Sequence, residues 1–181
     1  MIIHSSPLPD VEIPDVPVTE VVLRRAVQVP DRIALLDGPT GRSLTYAQLS
    51  AAIHAFAGGL ADRGLGPGDT IALMSPNIPE FAIVFHGAAV AGVAVSTINP
   101  TYTAEEVRFQ LRDSAAVLLV TIEMFVDTAR EAIEGTDVDQ SVVIGAAVPD
   151  TIAFTDLFGE PIEQVPVDVN EHVVVLPYSS G

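Results

Sequence analysis

Val173-Val174-Val175-Leu176, followed by Pro177-Tyr178-Ser179-Ser180-Gly181, is the segment whose residue types are best suited to chemistry. A strand that runs into a Ser/Gly loop is a common way to hold phosphate. Small residues let backbone N–H groups close around the oxygens, and hydroxyls add donors. Taken alone, Ser179-Ser180-Gly181 reads more readily as a serine-rich chain end, and it is the strand before it that points to phosphate. A second candidate is Asn99-Pro100-Thr101-Tyr102-Thr103-Ala104-Glu105-Glu106, which follows an apolar run and leads into a capped helix. Open parallel sheets bind ligands beyond the C-terminal ends of their strands, which suits this loop to a site. The same residues also have purely structural uses: Pro100 stiffens the loop, Thr103 and Glu106 cap the helix, and Tyr102 packs.

Other reactive side chains do not gather. His4, His54, His86 and His172 are the four histidines, and none stands at a local catalytic or metal-ligand spacing from Ser, Asp or another His. His86 lies in an apolar run and reads as a core or interface histidine. The chain has no cysteine, which removes disulfides, thiolate nucleophiles and thiolate zinc sites. Glu105-Glu106 and Asp137/Asp139 read as helix-cap and surface charge. No catalytic residue and no metal ligand is assigned.

The elements that must position these groups alternate between strand and helix. Val18 to Ala26 reads as a short helix with Thr19 as N-cap. Ile33 to Leu36 and Arg42 to Leu44 form a hairpin around Gly38-Pro39-Thr40-Gly41. Thr45-x-x-Gln48 is a capping box, and Leu49, Ile53, Phe56 and Leu60 then recur at helical spacing. Gly64 ends that helix, and Gly66-Pro67-Gly68-Asp69 turns the chain into a strand over Thr70 to Met74. Asn77-x-x-Glu80 reads as the cap of an apolar helix that runs to Ala91, with Gly92 as its stop. Val93 to Ile98 is a strand, and Thr103-x-x-Glu106 opens a helix whose inner face holds Val107 and Leu111. Ala116 to Val120, Ser141 to Ile144 and Val173 to Leu176 are strands, the last expected to be buried. Glu123 to Glu134 is a helix, Thr151 to Gly159 holds one helical turn, and Pro161 to Asn170 is a connector. The pattern predicts an α/β fold, a parallel sheet flanked by helices on both faces.

Composition narrows the class. The 181 residues are 49% hydrophobic, enough for one domain with a core. Acidic residues outnumber basic ones 24 to 8, for a net charge of −16, and every basic residue is Arg. That field repels nucleic acid, so no nucleic-acid partner is expected. It also repels free nucleotides at long range, so a nucleotide site must act locally through oriented N–H groups. The most apolar stretch, Phe81 to Ile98, is broken by His86, Gly87 and Gly92 and is expected to be a buried helix and strand, with no membrane span. The start, Met1 to Pro17, lacks the basic and apolar regions of an export signal. Together with the missing cysteines this favours the cytoplasm. A chain that stops just after a buried strand is expected to be a truncated piece.

In order, several segments resemble one family. They are Leu44-Thr45-Tyr46-x-x-Leu49, Gly64-x-Gly66-x-Gly68-Asp69, Asn77-x-Pro79-Glu80, Asn99-Pro100-x-Tyr102-Thr103-x-x-Glu106 and Leu176-Pro177-Tyr178-Ser179-Ser180-Gly181. The set is similar to the adenylate-forming, AMP-binding superfamily, and within it to acyl-CoA synthetases of the coumarate–CoA ligase type. Gln48 stands where that family often has Glu, and it can still close the capping box. The family's loop continues into Thr, Gly and Lys, and this chain has no Lys. The resemblance implies that residues 18–181 are the incomplete N-terminal part of the large domain of an acyl-CoA synthetase, with residues 1–17 as an extension. It implies ATP, Mg2+ and CoA as cofactors and a small carboxylic acid as substrate. Ser179, Ser180 and Gly181 match residues that contact the nucleotide phosphates. The isolated piece is expected to be inactive and prone to dimerise or self-associate. The alternatives are the front of a peptide-synthetase adenylation domain, a luciferase-like enzyme, or a non-catalytic self-associating module.

Overall fold

The computed structural model describes residues 8–9, 11–146 and 148–178. A small antiparallel hairpin, β1 (Ile33–Leu36) with β2 (Ser43–Thr45), precedes a parallel sheet. The described residues place β3 (Thr70–Met74), β4 (Ala94–Thr97), β5 (Ala116–Ile122), β6 (Ser141–Ile144), β7 (Ile152–Ala153) and β8 (Val175–Pro177) in that sheet. Their order is β7-β6-β5-β3-β4-β8, and every pairing is parallel. The chain therefore steps from β3 to β4, crosses back over β3 to β5, runs outward through β6 and β7, and returns to place β8 beside β4. That reversal is the doubly wound arrangement, and it makes a crevice at the C-terminal strand ends.

The sheet is central because its strands are apolar on both faces. Along β3, Ile71 and Leu73 enter one core, while Ala72 and Met74 enter the other. This is the period-two alternation of a pleated strand. The first core is closed by α2 (Tyr46–Asp62) and α3 (Pro79–Ala91), with Ile53, Phe56, Leu60 and Val84 fully buried. The second is closed by α4 (Ala104–Asp113) and α5 (Val126–Ile133) through Val107, Leu111, Ala129 and Ala132. Each large buried aliphatic or aromatic side chain stabilises the fold by about 1.5–3 kcal/mol relative to exposure.

The helix boundaries follow their caps. Thr45 Oγ1 accepts from the Gln48 N–H at 3.2 Å, and Gln48 Oε1 accepts from the Thr45 N–H at 2.9 Å. Gly64, with φ +77°, ends α2: its N–H bonds the Ala61 carbonyl and the Leu65 N–H bonds that of Leu60. This is a Schellman stop. Gly92, with φ +74°, ends α3. Glycines 58 and 59 have a different use. A Cβ on Gly59 would stand 1.8 Å from the Leu157 carbonyl oxygen, and one on Gly58 would stand 1.9 Å from that of Glu160. The backbone of 157–162 therefore lies directly on α2, where the Gly159 N–H donates to the Ala55 carbonyl at 2.9 Å.

Five expectations change. Thr19 does not cap α1 (Val18–Leu23); its hydroxyl lies 3.1 Å from His86 Nδ1 instead. Asn77 does not cap α3, which starts with Pro79 at its first turn, and Glu80 is taken by Arg42 in a two-pronged ion pair at 2.8 and 3.0 Å. Residues 123–125 form a 3-10 turn before α5, and 151–159 holds strand β7 as well as a 3-10 turn over Phe154–Leu157. The last strand is an edge, not a buried strand: Val173 and Val175 are 49% and 37% exposed. It pairs with β4 alone among the described strands. No helix among the described residues is long and apolar enough to cross a membrane.

Candidate functional site

Parallel pairing puts every strand's exit at one edge of the sheet. β4 and β8 run side by side, with Val95, Ser96 and Thr97 opposite Val175, Leu176 and Pro177. The two segments singled out from sequence therefore leave adjacent strands in the same direction. The Asn99–Thr103 loop follows β4, and Tyr178 follows β8. Ser179, Ser180 and Gly181 lie outside the described residues.

The β4 loop is held by its own side chains. Asn99 Oδ1 accepts from the Thr101 N–H at 3.0 Å and from the Thr101 hydroxyl at 2.9 Å. Thr103 and Glu106 then close the capping box of α4, with the Thr103 N–H and hydroxyl both donating to Glu106 Oε2 at 2.8 Å. Those donors favour the ionised carboxylate and lower the Glu106 pKa. Glu106 is thus committed to the cap. Gln110, one turn on, ties α4 to β4: its Nε2 donates to Ser96 Oγ at 3.0 Å and to the Thr97 carbonyl at 2.9 Å.

Tyr178 closes the other side. Its hydroxyl donates to Asp113 Oδ2 at 2.6 Å, across 65 residues of chain. Burial, and then the Asp113 carboxylate, push its pKa up to about 12. Tyr102, Glu105, Glu106, Phe109, Gln110 and Tyr178 line a cleft of about 390 Å³ beside the β8 exit. Neither the Tyr178–Asp113 bond nor the Gln110 tie is foreseeable from local spacing, because each joins residues from different elements. The only sequence cue is that Asp113 ends a helix, where a negative charge opposes the macrodipole.

The histidines stay apart from this edge. His86 faces Thr19, and burial lowers its pKa. His54 Nδ1 lies 2.7 Å from the Ile162 carbonyl oxygen and helps tether the connector to α2. His172 lines a cavity on the α1/α3 side of the sheet with Val174 and Gln164. His4 lies outside the described residues. Among the described residues no cluster of His, Cys, Asp or Glu has the geometry of a metal site.

The β4 loop and Tyr178 leave neighbouring parallel strands at one edge of the sheet, and comparison with known proteins bears on that edge. Residues 22–181 match the family model described as AMP-binding enzyme. The chain is 37% identical to 4-coumarate–CoA ligase 3 of Oryza sativa subsp. japonica over 100% of its own length and 33% of that relative's. It is 34% identical to 4-coumarate–CoA ligase 1 of Petroselinum crispum, covering 99% of this chain and 34% of that one. It therefore spans about a third of the length of these relatives. Among solved structures it is similar in fold to a long-chain-fatty-acid–CoA ligase of Archaeoglobus fulgidus, with TM-score 0.85, 21% identity and coverage of 97% of this chain and 36% of that one. It is also similar to Mycobacterium smegmatis MbtA, with TM-score 0.81, 28% identity and coverage of 93% and 32%. The strand order, the ordered motifs and a family match over most of the chain agree: this chain belongs to the AMP-binding enzyme family.

Proposed function

We propose that this chain is the N-terminal part of an ATP-dependent acid–CoA ligase. Residues 18–181 are then a partial AMP-binding domain, and residues 1–17 an extension. The observation that carries the reading is the shared exit of β4 and β8, which sets the Asn99–Thr103 loop and Tyr178 at the edge where doubly wound sheets bind ligands. The curated relatives named above, both called 4-coumarate–CoA ligases, support the reaction class.

On this reading a carboxylate oxygen attacks the α-phosphorus of ATP, and the bond to the leaving pyrophosphate breaks, giving an acyl-adenylate. The sulfur of CoA then attacks the acyl carbon, loses its proton, and expels AMP to leave a thioester. Negative charge builds on the phosphate oxygens in the first step, so donors fixed in advance accelerate it. Ser179 and Ser180 supply hydroxyl and N–H donors, and Gly181 supplies an N–H with no side chain to block approach. Mg2+, when bound, neutralises phosphate charge. The described residues act as scaffold, with Tyr178 tied to α4 through Asp113. We propose a cytoplasmic enzyme acting on a small carboxylic acid, with the isolated 181-residue chain inactive and self-associating through the open edge of β8.

The test uses the 181-residue chain and the longer polypeptide from the same reading frame. Each is incubated with ATP, Mg2+, CoA and a panel of aryl and fatty acids, and pyrophosphate and thioester are measured. Acid-dependent product from the longer polypeptide and none from the 181-residue chain is expected. Pyrophosphate release by the 181-residue chain alone would contradict its inactivity, and an inert longer polypeptide would contradict the ligase assignment.

A further inference from the structure

A cavity of about 370 Å³ lies at the entry end of β8, opposite the exit described above. Val16 of the N-terminal segment, Val21 of α1, Ala89 of α3, Val167 and Val169 of the connector, and Val174 before β8 are among its walls. Apart from Gln164 and His172, the whole lining is Val, Pro, Ile and Ala. The walls are fastened to one another. Thr19 of α1 lies 3.1 Å from His86 Nδ1 of α3, and the Val165 N–H donates to the Val90 carbonyl at 2.9 Å. The His172 N–H donates to the Asp168 carbonyl at 2.8 Å, which closes the turn leading into β8.

Two polar atoms of the lining residues, Gln164 Oε1 and His172 Nε2, are buried and have no partner among the described residues. Gln164 cannot resolve this by turning its amide over. Its Nε2 donates to the Ala89 carbonyl at 3.0 Å and to the Val165 carbonyl at 3.1 Å, and an oxygen in that place would face two other oxygens. Buried polar groups without partners are costly and rare in native folds. The two atoms are complementary: the amide oxygen accepts, and the imidazole nitrogen donates or accepts according to its tautomer. A hydroxyl, which both donates and accepts, matches them. Because both atoms are shielded from solvent, a head group that reaches them is desolvated as well.

Charge and volume narrow the ligand further. Asp15, Glu20, Glu163, Asp168 and Glu171 flank the lining residues in sequence, and no described Arg lines the cavity. Anionic head groups are therefore disfavoured. At about 30 Å³ per non-hydrogen group, the share of one water in its liquid, the space holds about twelve such groups. We propose that this cavity is a binding site for a neutral aliphatic alcohol of medium chain length. Its tail lies against the valines and prolines, and its hydroxyl meets Gln164 and His172. The site is separate from the β4/β8 exit and independent of the ligase reading.

Isothermal titration of the 181-residue chain with n-butanol, n-hexanol, n-octanol and octanoate tests this, with thermal melts of every variant as the folding control. Saturable one-to-one binding of n-octanol is expected, with affinity rising about fourfold per methylene along the alcohols. Octanoate should bind about tenfold more weakly than n-octanol, or less. His172→Phe keeps a ring in the wall and removes the polar atom. It should weaken n-octanol about tenfold and leave the dependence on chain length intact. Ala89→Leu fills the cavity from α3 and should abolish binding. No saturable binding of n-octanol, octanoate binding as tightly as n-octanol, or undiminished binding by a folded His172→Phe or Ala89→Leu protein overturns the site. The longer polypeptide should bind n-octanol as the 181-residue chain does. Loss of binding there would give the cavity to the downstream chain and overturn the alcohol as its occupant.

Discussion

At the scale of single residues, two positions show how local chemistry sets stability away from the site. Ala115 follows α4 with φ +49°, a left-handed conformation that costs a side-chain-bearing residue about 1 kcal/mol. It is exposed, so a substitution there disturbs little packing. Ala115→Gly should relieve the strain, less the entropy that glycine adds to the unfolded chain, and stabilise the protein by about 0.5 kcal/mol. A denaturant midpoint that falls in this variant would contradict the account. His86 gives a pH dependence. Burial lowers its folded pKa, so at mildly acidic pH the unfolded chain binds a proton that the folded chain refuses. Its contribution is fully present above the unfolded value of about 6.5 and declines as pH falls towards the lower folded value. Melting temperature should therefore drop between pH 7.5 and 5.5, and His86→Gln should shrink that drop. Equal drops in both proteins would remove His86 as the cause.

At the scale of elements, the tie between α2 and the connector is the most sensitive contact. Gly59→Ala would drive a methyl into the Leu157 carbonyl, which is backbone and cannot swing aside. A loss of about 3 kcal/mol is expected by urea unfolding, while Gly38→Ala, with nothing within 4 Å of its Cβ, should change stability by less than about 0.5 kcal/mol. A mild Gly59→Ala would mean that 157–162 does not lie on α2 as described. Elements with self-contained signals were readable from sequence. The Thr45/Gln48 and Thr103/Glu106 boxes, the Gly64 and Gly92 stops and the β3 run all fall where their residues predict. Where a side chain had two possible partners, the distant one won. Thr19 turned to His86, 67 residues away, and Glu80 to Arg42, 38 residues away. Spacing rules count only neighbours along the chain, so they assigned both to helix caps. The exposure of β8 was missed for a related reason. An apolar run reads as buried, but burial depends on what lies beside a strand, and β8 stands at the end of the strand order.

At the scale of the whole molecule, charge and open surface oppose one another. The net charge of −16 keeps copies apart, while β8, paired on one side only among the described strands, leaves Val175 and the preceding Val173 exposed. Screening shortens the reach of repulsion from about 30 Å at 0.01 M salt to about 3 Å at 1 M. Light scattering should therefore show the mean mass of the 181-residue chain rising with salt, and a mass that falls with salt would contradict association through this edge. The candidate site was partly readable: the ordered motifs pointed to the exits of β4 and β8, and the fold sets those exits side by side. The Asp113 contact was not, because it exists only once α4 is docked against the sheet. We propose that Ser179, Ser180 and Gly181 bind the phosphates of ATP. The most direct test of this central claim is carboxylate-dependent exchange of pyrophosphate into ATP by the longer polypeptide, comparing the wild type with Ser180→Ala and Gly181→Val. Loss of a phosphate donor or of backbone approach should cut the exchange rate by about a hundredfold without unfolding the protein. Exchange at the wild-type rate in both variants would contradict the claim.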